Sequence, residues 1–278
     1  MNRHKAIVGL CMLCALLFSA FAAQSASAIT GTTAFTCKKN AAPEDRRGEH
    51  CLNEGTAPKE YGHVPIAENT TTELIASNAK TLNNTAESSV IKLRLTVAGI
   101  PVELQATGLS GSGWIENKKA ASGEHYSHTK GTTTFTGVTV TEPKERGCKV
   151  YTHKEDGSGN PGEEGEVGVI HTKELTGTTE GQGDNFKFTP AAGEVFANFW
   201  LTCTTKVEAC EGTWSIVGSV KGQPNGTTST LNHATTTAEN TLKGRGAKAG
   251  FDGNLTISAR EKGSGGAFIP LAETTVTT

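Results

Sequence analysis

Methionine, tryptophan and tyrosine are scarce in this sequence, at two, three and three residues, and all aromatics together make up 6% of it. No stretch carries apolar residues at the three- and four-residue spacing of an amphipathic helix, which argues against a helical bundle. Basic charge is not in excess, with 26 Lys and Arg against 28 Asp and Glu. That balance gives no electrostatic reason to expect nucleic acid or an anionic membrane as partner. No C-x-x-C pair occurs beyond residue 28, so neither a zinc ribbon nor a thioredoxin-type site is indicated. The G-x-S-x-G elbow of serine hydrolases is missing too. Its nearest string, Gly108-Leu109-Ser110-Gly111-Ser112, lacks the final glycine and reads as a flexible turn after a strand.

What is present begins with an address. A short basic head, Arg3-His4-Lys5, precedes an uncharged apolar run over residues 6–23, and Ala26-Ser27-Ala28 supplies the small-x-small pattern cut by signal peptidase. Residues 1–28 are therefore expected to be a cleaved signal peptide, leaving Ile29 first. Loss of Arg3 and Lys5 lowers 26 basic residues to 24 against 28 acidic, a mildly acidic mature chain. No later apolar segment with basic flanks offers a membrane anchor, and the expected location is extracellular.

Glycine is abundant, at 33 residues, and threonine more so. Threonine is β-branched and suits a half-exposed pleated surface, while glycine supplies turns with positive backbone torsions. The clearest alternation is Ile91-Lys92-Leu93-Arg94-Leu95-Thr96-Val97, followed after Gly99 by Val102-Glu103-Leu104-Gln105-Ala106; this predicts a hairpin with one face buried. Residues 132–141 read as a strand whose parity changes at Gly137, which suggests a bulge. Residues 195–203 are apolar on both faces, with Trp200 expected in the core, and Pro224-Asn225-Gly226 marks a hairpin turn. Residues 71–79 read as one or two helical turns. Many short strands separated by turn signals indicate an all-β antiparallel sandwich or barrel over residues 88–278, preceded by a polar segment, 29–87.

Five cysteines remain after cleavage, Cys37, Cys51, Cys148, Cys203 and Cys210, and an exported chain is expected to pair them. Cys37 and Cys51 enclose a short charged loop and make the favoured pair. For the other three, Cys203 pairs with its neighbour Cys210, or Cys148 pairs with one of them. The motifs Ile91-Lys92-Leu93-Arg94, Gly99-Ile100-Pro101-Val102-Glu103-Leu104, Gly147-Cys148-Lys149-Val150 and Val217-Gly218-Ser219-Val220-Lys221-Gly222 resemble a group of uncharacterised secreted proteins of soil actinobacteria. That resemblance implies export and a β-rich fold and carries no functional residue with it.

Three groups of residues are candidates for chemistry. His125 and His128 form the densest set of transition-metal ligands; their Gly-, Ser- and Thr-rich surroundings predict a loop, and a site would need a third ligand such as His153 or His171. Asp156, Ser158 and Asn160 place oxygens at alternate positions like the start of a calcium loop, with Glu163, Glu164 and Glu166 nearby, although the usual Gly and Glu of such a loop are replaced by Pro161 and Val167. Trp114 follows Gly113 and Trp214 lies two residues after Gly212, both at strand starts; ordinary core or rim packing is the expected role of these rings, and an exposed platform for sugar rings is the alternative. The overall expectation is a secreted, non-catalytic protein that binds an extracellular glycan or protein, or plays a structural role there. The alternative is a carbohydrate-active hydrolase, which needs two carboxylates facing across a cleft.

Overall fold

The computed structural model describes residues 30–39, 60–78, 90–153, 165–180, 185–225, 228–233, 241–261 and 269–277. Every regular element among them is a strand, as the composition predicts. The signal peptide and the calcium-like loop at Asp156, Ser158 and Asn160 lie outside the described residues, as do Cys51 and the side chain of Cys37.

In chain order the strands are β1 (Thr30–Lys39), β2 (Tyr61–Pro65), β3 (Thr72–Asn78), β4 (Ile91–Val97), β5 (Ile100–Ala106), β6 (Gly108–Lys119), β7 (His125–Thr136), β8 (Thr139–Glu142), β9 (Cys148–Thr152) and β10 (Ile170–His171). They continue with β11 (Leu175–Glu180), β12 (Asn185–Pro190), β13 (Val195–Cys203), β14 (Gly212–Val217), β15 (Val220–Asn225), β16 (Thr228–His233), β17 (Lys243–Gly244), β18 (Ala247–Glu261) and β19 (Ile269–Thr277).

Their pairings resolve the choice between sandwich and barrel in favour of barrel-like rings. The first ring runs β18–β3–β6–β7–β11–β12–β15–β16 and back to β18, antiparallel throughout. The second runs β18–β4–β5–β8 on one side and β18–β17–β14–β13–β9 on the other. It stays unpaired only between β8 and β9, where Gly168 spans the gap by donating to the Val150 carbonyl and accepting from the Val138 amide. Both rings share β18 because that strand is 15 residues long: its first part serves the second ring and its last part the first.

The predicted β4–β5 hairpin is present with Val97 opposite Ile100, turning on Ala98 and Gly99 at φ 49° and 81°. These positive torsions match the twist of a two-residue hairpin. The turn expected at Pro224-Asn225-Gly226 joins β15 to β16, with Asn225 opposite Thr228.

Four local expectations are corrected. Residues 71–79 are not helical but form β3, held between β18 and β6, so tertiary pairing overrides a weak local preference. The 108–112 turn is the start of β6, and the loop around His125 and His128 is the start of β7. At Gly137 (φ 60°) the chain does not bulge but breaks, separating β7 from β8. The segment read as a polar leader contributes three strands, of which β3 is a wall of the first ring.

Strands β1 and β19 pair end to end, Thr30 opposite Thr277, and β1 crosses one mouth of the first ring. It is fastened there by buried Asn117, whose amide oxygen accepts from the Ala34 N–H (2.9 Å) and from Ser127 Oγ (2.8 Å). The Asn117 amide nitrogen donates to the Ala34 and Ile66 carbonyls, both at 2.8 Å. Both donors and two acceptor sites of the amide are thereby used, the condition for burying it without penalty. Under this fastening lies a small apolar cluster of Ala34, Ile66, Ile115, Phe186 and Ala259, distinct from the large core that fills the second ring and extends to Leu109, Phe135, Leu175 and Val220 of the first.

Candidate functional site

Between the two apolar clusters the first ring lines a partly open cavity of about 110 Å³. Its existence follows from the residues that β6 and β7 turn inward. Along this pair Leu109 faces Phe135 and Ile115 faces Thr129 at the ends, but the middle positions pair Gly111 with Thr133 and Gly113 with Gly131. No large side chain fills the middle. None fits at the Gly113–Gly131 step either, where the two backbones approach closely: a Cβ on Gly113 would stand 2.2 Å from the Lys130 carbonyl oxygen, and one on Gly131 2.3 Å from that of Ser112.

The opposite wall is aromatic and aliphatic. Phe186 and Phe188 stack on β12 with ring centroids 5.6 Å apart, and Val220, Phe251 and Ile257 complete it. Phe188 in turn lies over Gly177, whose Cβ would meet its ring at 2.9 Å. Two of the hydroxyls that border the space have partners. Thr129 Oγ1 donates to the Trp114 carbonyl at 2.7 Å, and Thr172 Oγ1 accepts from the Thr133 amide at 2.9 Å. Lys130 borders the space through its backbone, while its Nζ pairs with Glu174 at 2.8 Å. Such a chamber holds a guest by burial of apolar surface and dispersion alone.

The polar candidates are placed elsewhere. His125 and His128 stand three residues apart on a strand and therefore project to opposite sides. His125 Nδ1 meets Glu68 at 2.9 Å, while His128 Nδ1 faces Glu116 at 3.5 Å and packs edge-on to Trp114 with centroids 5.2 Å apart. Glu116 is held below the usual carboxylate range by its bond to Lys118 at 2.6 Å. His171 hydrogen-bonds Thr134 instead (2.9 Å). Among the described residues no three His, Cys, Asp or Glu side chains converge as a metal site.

A second charged group links β4, β5 and the shared strand β18 through Arg94, Glu103 and Asp252. Burial pushes the Glu103 carboxyl up, but bonds from Arg94 (2.7 Å) and Thr141 (2.8 Å) outweigh it and hold the group below its ordinary range. Arg94 also pairs with Asp252 on β18.

Of the open cysteine alternatives, the structure forms Cys148–Cys203, directly opposite each other across β9 and β13. Cys210 is a buried free thiol, its pKa raised by burial. Trp214 is packed in the core, as the favoured reading has it, and not an exposed platform: it is fully buried and stacks on Phe199 with centroids 5.8 Å apart, its indole N–H donating to the Cys210 carbonyl at 2.6 Å. Trp200, read as core, lies half-buried because β13 turns Ala197, Phe199 and Leu201 inward after an irregularity at its start. Trp114 is half-buried within β6 rather than at a strand start.

Two features escaped the sequence. Gly111 falls in the string that reads as a flexible turn, and Gly113 and Gly131 carry no motif of their own, although the i, i+2 spacing of Gly111 and Gly113 fits a strand. Arg245, flanked by Gly244 and Gly246, lies 4.5 Å over the Trp214 ring and donates to the backbone carbonyls of Ala209 (3.0 Å) and Glu208 (3.3 Å), fixing the loop around Cys210. Compared with known proteins, the chain matches no family model, no curated protein and no solved structure at a significant level.

Proposed function

We propose that this chain is an exported, non-catalytic binding protein whose ligand is received in the chamber of the first ring. The observation that supports the reading is the chamber itself: a space whose described lining is mainly aliphatic, aromatic and glycine, with the Thr129 and Thr172 hydroxyls already engaged and Lys130 paired with Glu174. Sites of this kind recognise by shape and apolar contact, and they lack the convergent ionisable groups that acid–base chemistry uses. Export is supported by the basic-apolar-small pattern of residues 1–28 and by the Cys148–Cys203 disulfide, a bond that persists outside the reducing cytosol. No helix among the described residues is long and apolar enough to cross a membrane.

The test uses the full chain expressed with its leader and recovered from the medium. N-terminal sequencing is expected to begin at Ile29. The recovered protein is then screened in parallel by thermal shift against small apolar compounds, on a glycan array and on generic glycosidase substrates. Stabilisation by an apolar compound without turnover supports the reading. Turnover of a glycoside that is lost on replacing a carboxylate would overturn it in favour of a hydrolase.

A further inference from the structure

The chamber's dimensions and lining define what it takes, given the reading of the first ring as a binding site. An apolar protein cavity of about 150 Å³ stays dry and accepts a benzene-sized guest. At about 110 Å³ this one is roughly three quarters of that size. We infer that it binds an uncharged, compact hydrocarbon group of about four or five carbon atoms, either a small free hydrocarbon or the end segment of an acyl chain.

Three observations carry the chemistry. The one charged residue of the described lining, Lys130, has its Nζ paired with Glu174, and the hydroxyls of Thr129 and Thr172 are engaged by backbone groups, so a charged guest would lose its water contacts without a counter-charge to replace them. Gly113 and Gly131 cannot acquire a Cβ without striking backbone, so the floor of the chamber is kept open by main-chain geometry rather than by a side chain that can swing aside. On the far side the stacked rings of Phe186 and Phe188 give a rigid wall, with Phe188 seated against Gly177, so the space is preformed and does not collapse on itself.

The size limit follows from the wall and is set by named residues. Val220→Phe fills the space from β15, whereas Phe188→Leu enlarges it from β12. The experiment measures melting temperature of the full disulfide-bonded protein with cyclopentane, benzene or decanoate, in wild type and both variants. Cyclopentane at tenfold its dissociation constant is expected to raise the wild-type melting temperature by about 3 °C. Val220→Phe is expected to abolish that shift, and Phe188→Leu to add a response to benzene that the wild type lacks. A decanoate response that is lost in Val220→Phe identifies a chain end as the guest, while a response to cyclopentane alone identifies a free hydrocarbon.

If Val220→Phe does not fold, Val220→Leu is used, with a shift reduced at least threefold as the expected result. Equal shifts in the wild type and a folded filled variant, or no shift with any of the three compounds, overturn the inference. The broader reading is judged separately: a non-turnover ligand on the glycan array leaves a binding protein with a different site, whereas glycoside turnover removes both.

Discussion

The two rings share a strand and a topology of antiparallel neighbours, yet one is filled and the other hollow. In the second ring the inward positions are Val102, Val150, Phe199, Leu201 and Trp214, all at most 2% exposed, and the space left among its side chains is about 50 Å³. In the first ring the corresponding positions of β6 and β7 are Gly111, Gly113, Gly131 and Thr133, and about 110 Å³ stays open. The rings are also closed differently. The second is braced by Cys148–Cys203 and by Arg245 over Trp214, whereas the first is capped by β1 through the hydrogen bonds of Asn117. The contrast shows that closure of a sheet does not itself make a site. What makes one is the choice of small residues at the inward positions of two adjacent strands.

Breaking the filled ring is expected to have the largest effect. Trp214→Ala removes the largest fully buried side chain and its bond to the Cys210 carbonyl; it should cost about 4 kcal/mol, read as a loss of denaturation midpoint at unchanged slope. Uncapping the hollow ring is next. Asn117→Leu takes the partner from the Ile66 carbonyl and from the Ser127 hydroxyl, while Ala34 keeps its bonds to Ser127 Oγ and the Ile66 amide, and should cost about 2 kcal/mol. Amide exchange locates this loss: protection should fall along β1 while β13 and β14 stay protected.

The comparison is sharpest in a matched pair of enlargements. Val220→Leu adds a methylene beside the open space and should stabilise by about 0.8 kcal/mol, whereas Val150→Leu, in the filled ring, should destabilise by about 1–2 kcal/mol. Calorimetric melting of both variants reads the sign directly. The smallest effect concerns charge. Glu103 is held below its ordinary value, so its contribution is present above the normal carboxylate range and is lost as pH falls through the folded-state value. Because Arg94 is 44% exposed the contribution is under about 1 kcal/mol, and Glu103→Gln should flatten stability between about pH 5 and pH 3 without changing it much at low pH.

Much of the second ring is readable in the sequence. Residues 91–106 alternate cleanly because one face is buried and the other wet, and the strand at residues 195–203 announces a core by its apolar residues. The first ring is harder to read for a physical reason. Its strands β6 and β7 are built from Gly, Ser and Thr, the residues that also make turns, so 108–112 and 124–128 read as loops. Their strand character comes from partners on both sides, β3 and β11, that lie far away in the chain. Trp200 is not the core residue that its strand suggests, because two-sided apolarity describes composition and not register. Inward direction was decided by the irregularity near Val195 and by Arg245 closing over the indole. The chamber was not legible at all, because an opening is written as the absence of side chains.

The central claim is that the first ring holds a preformed apolar chamber and the second does not. Methyl NMR of the full protein titrated with cyclopentane tests it most directly. The account predicts saturable shifts at Leu109, Ile115, Leu175 and Val220, with Val102, Val150 and Leu201 unmoved. Shifts that are spread evenly over both rings, or that never saturate, would contradict it.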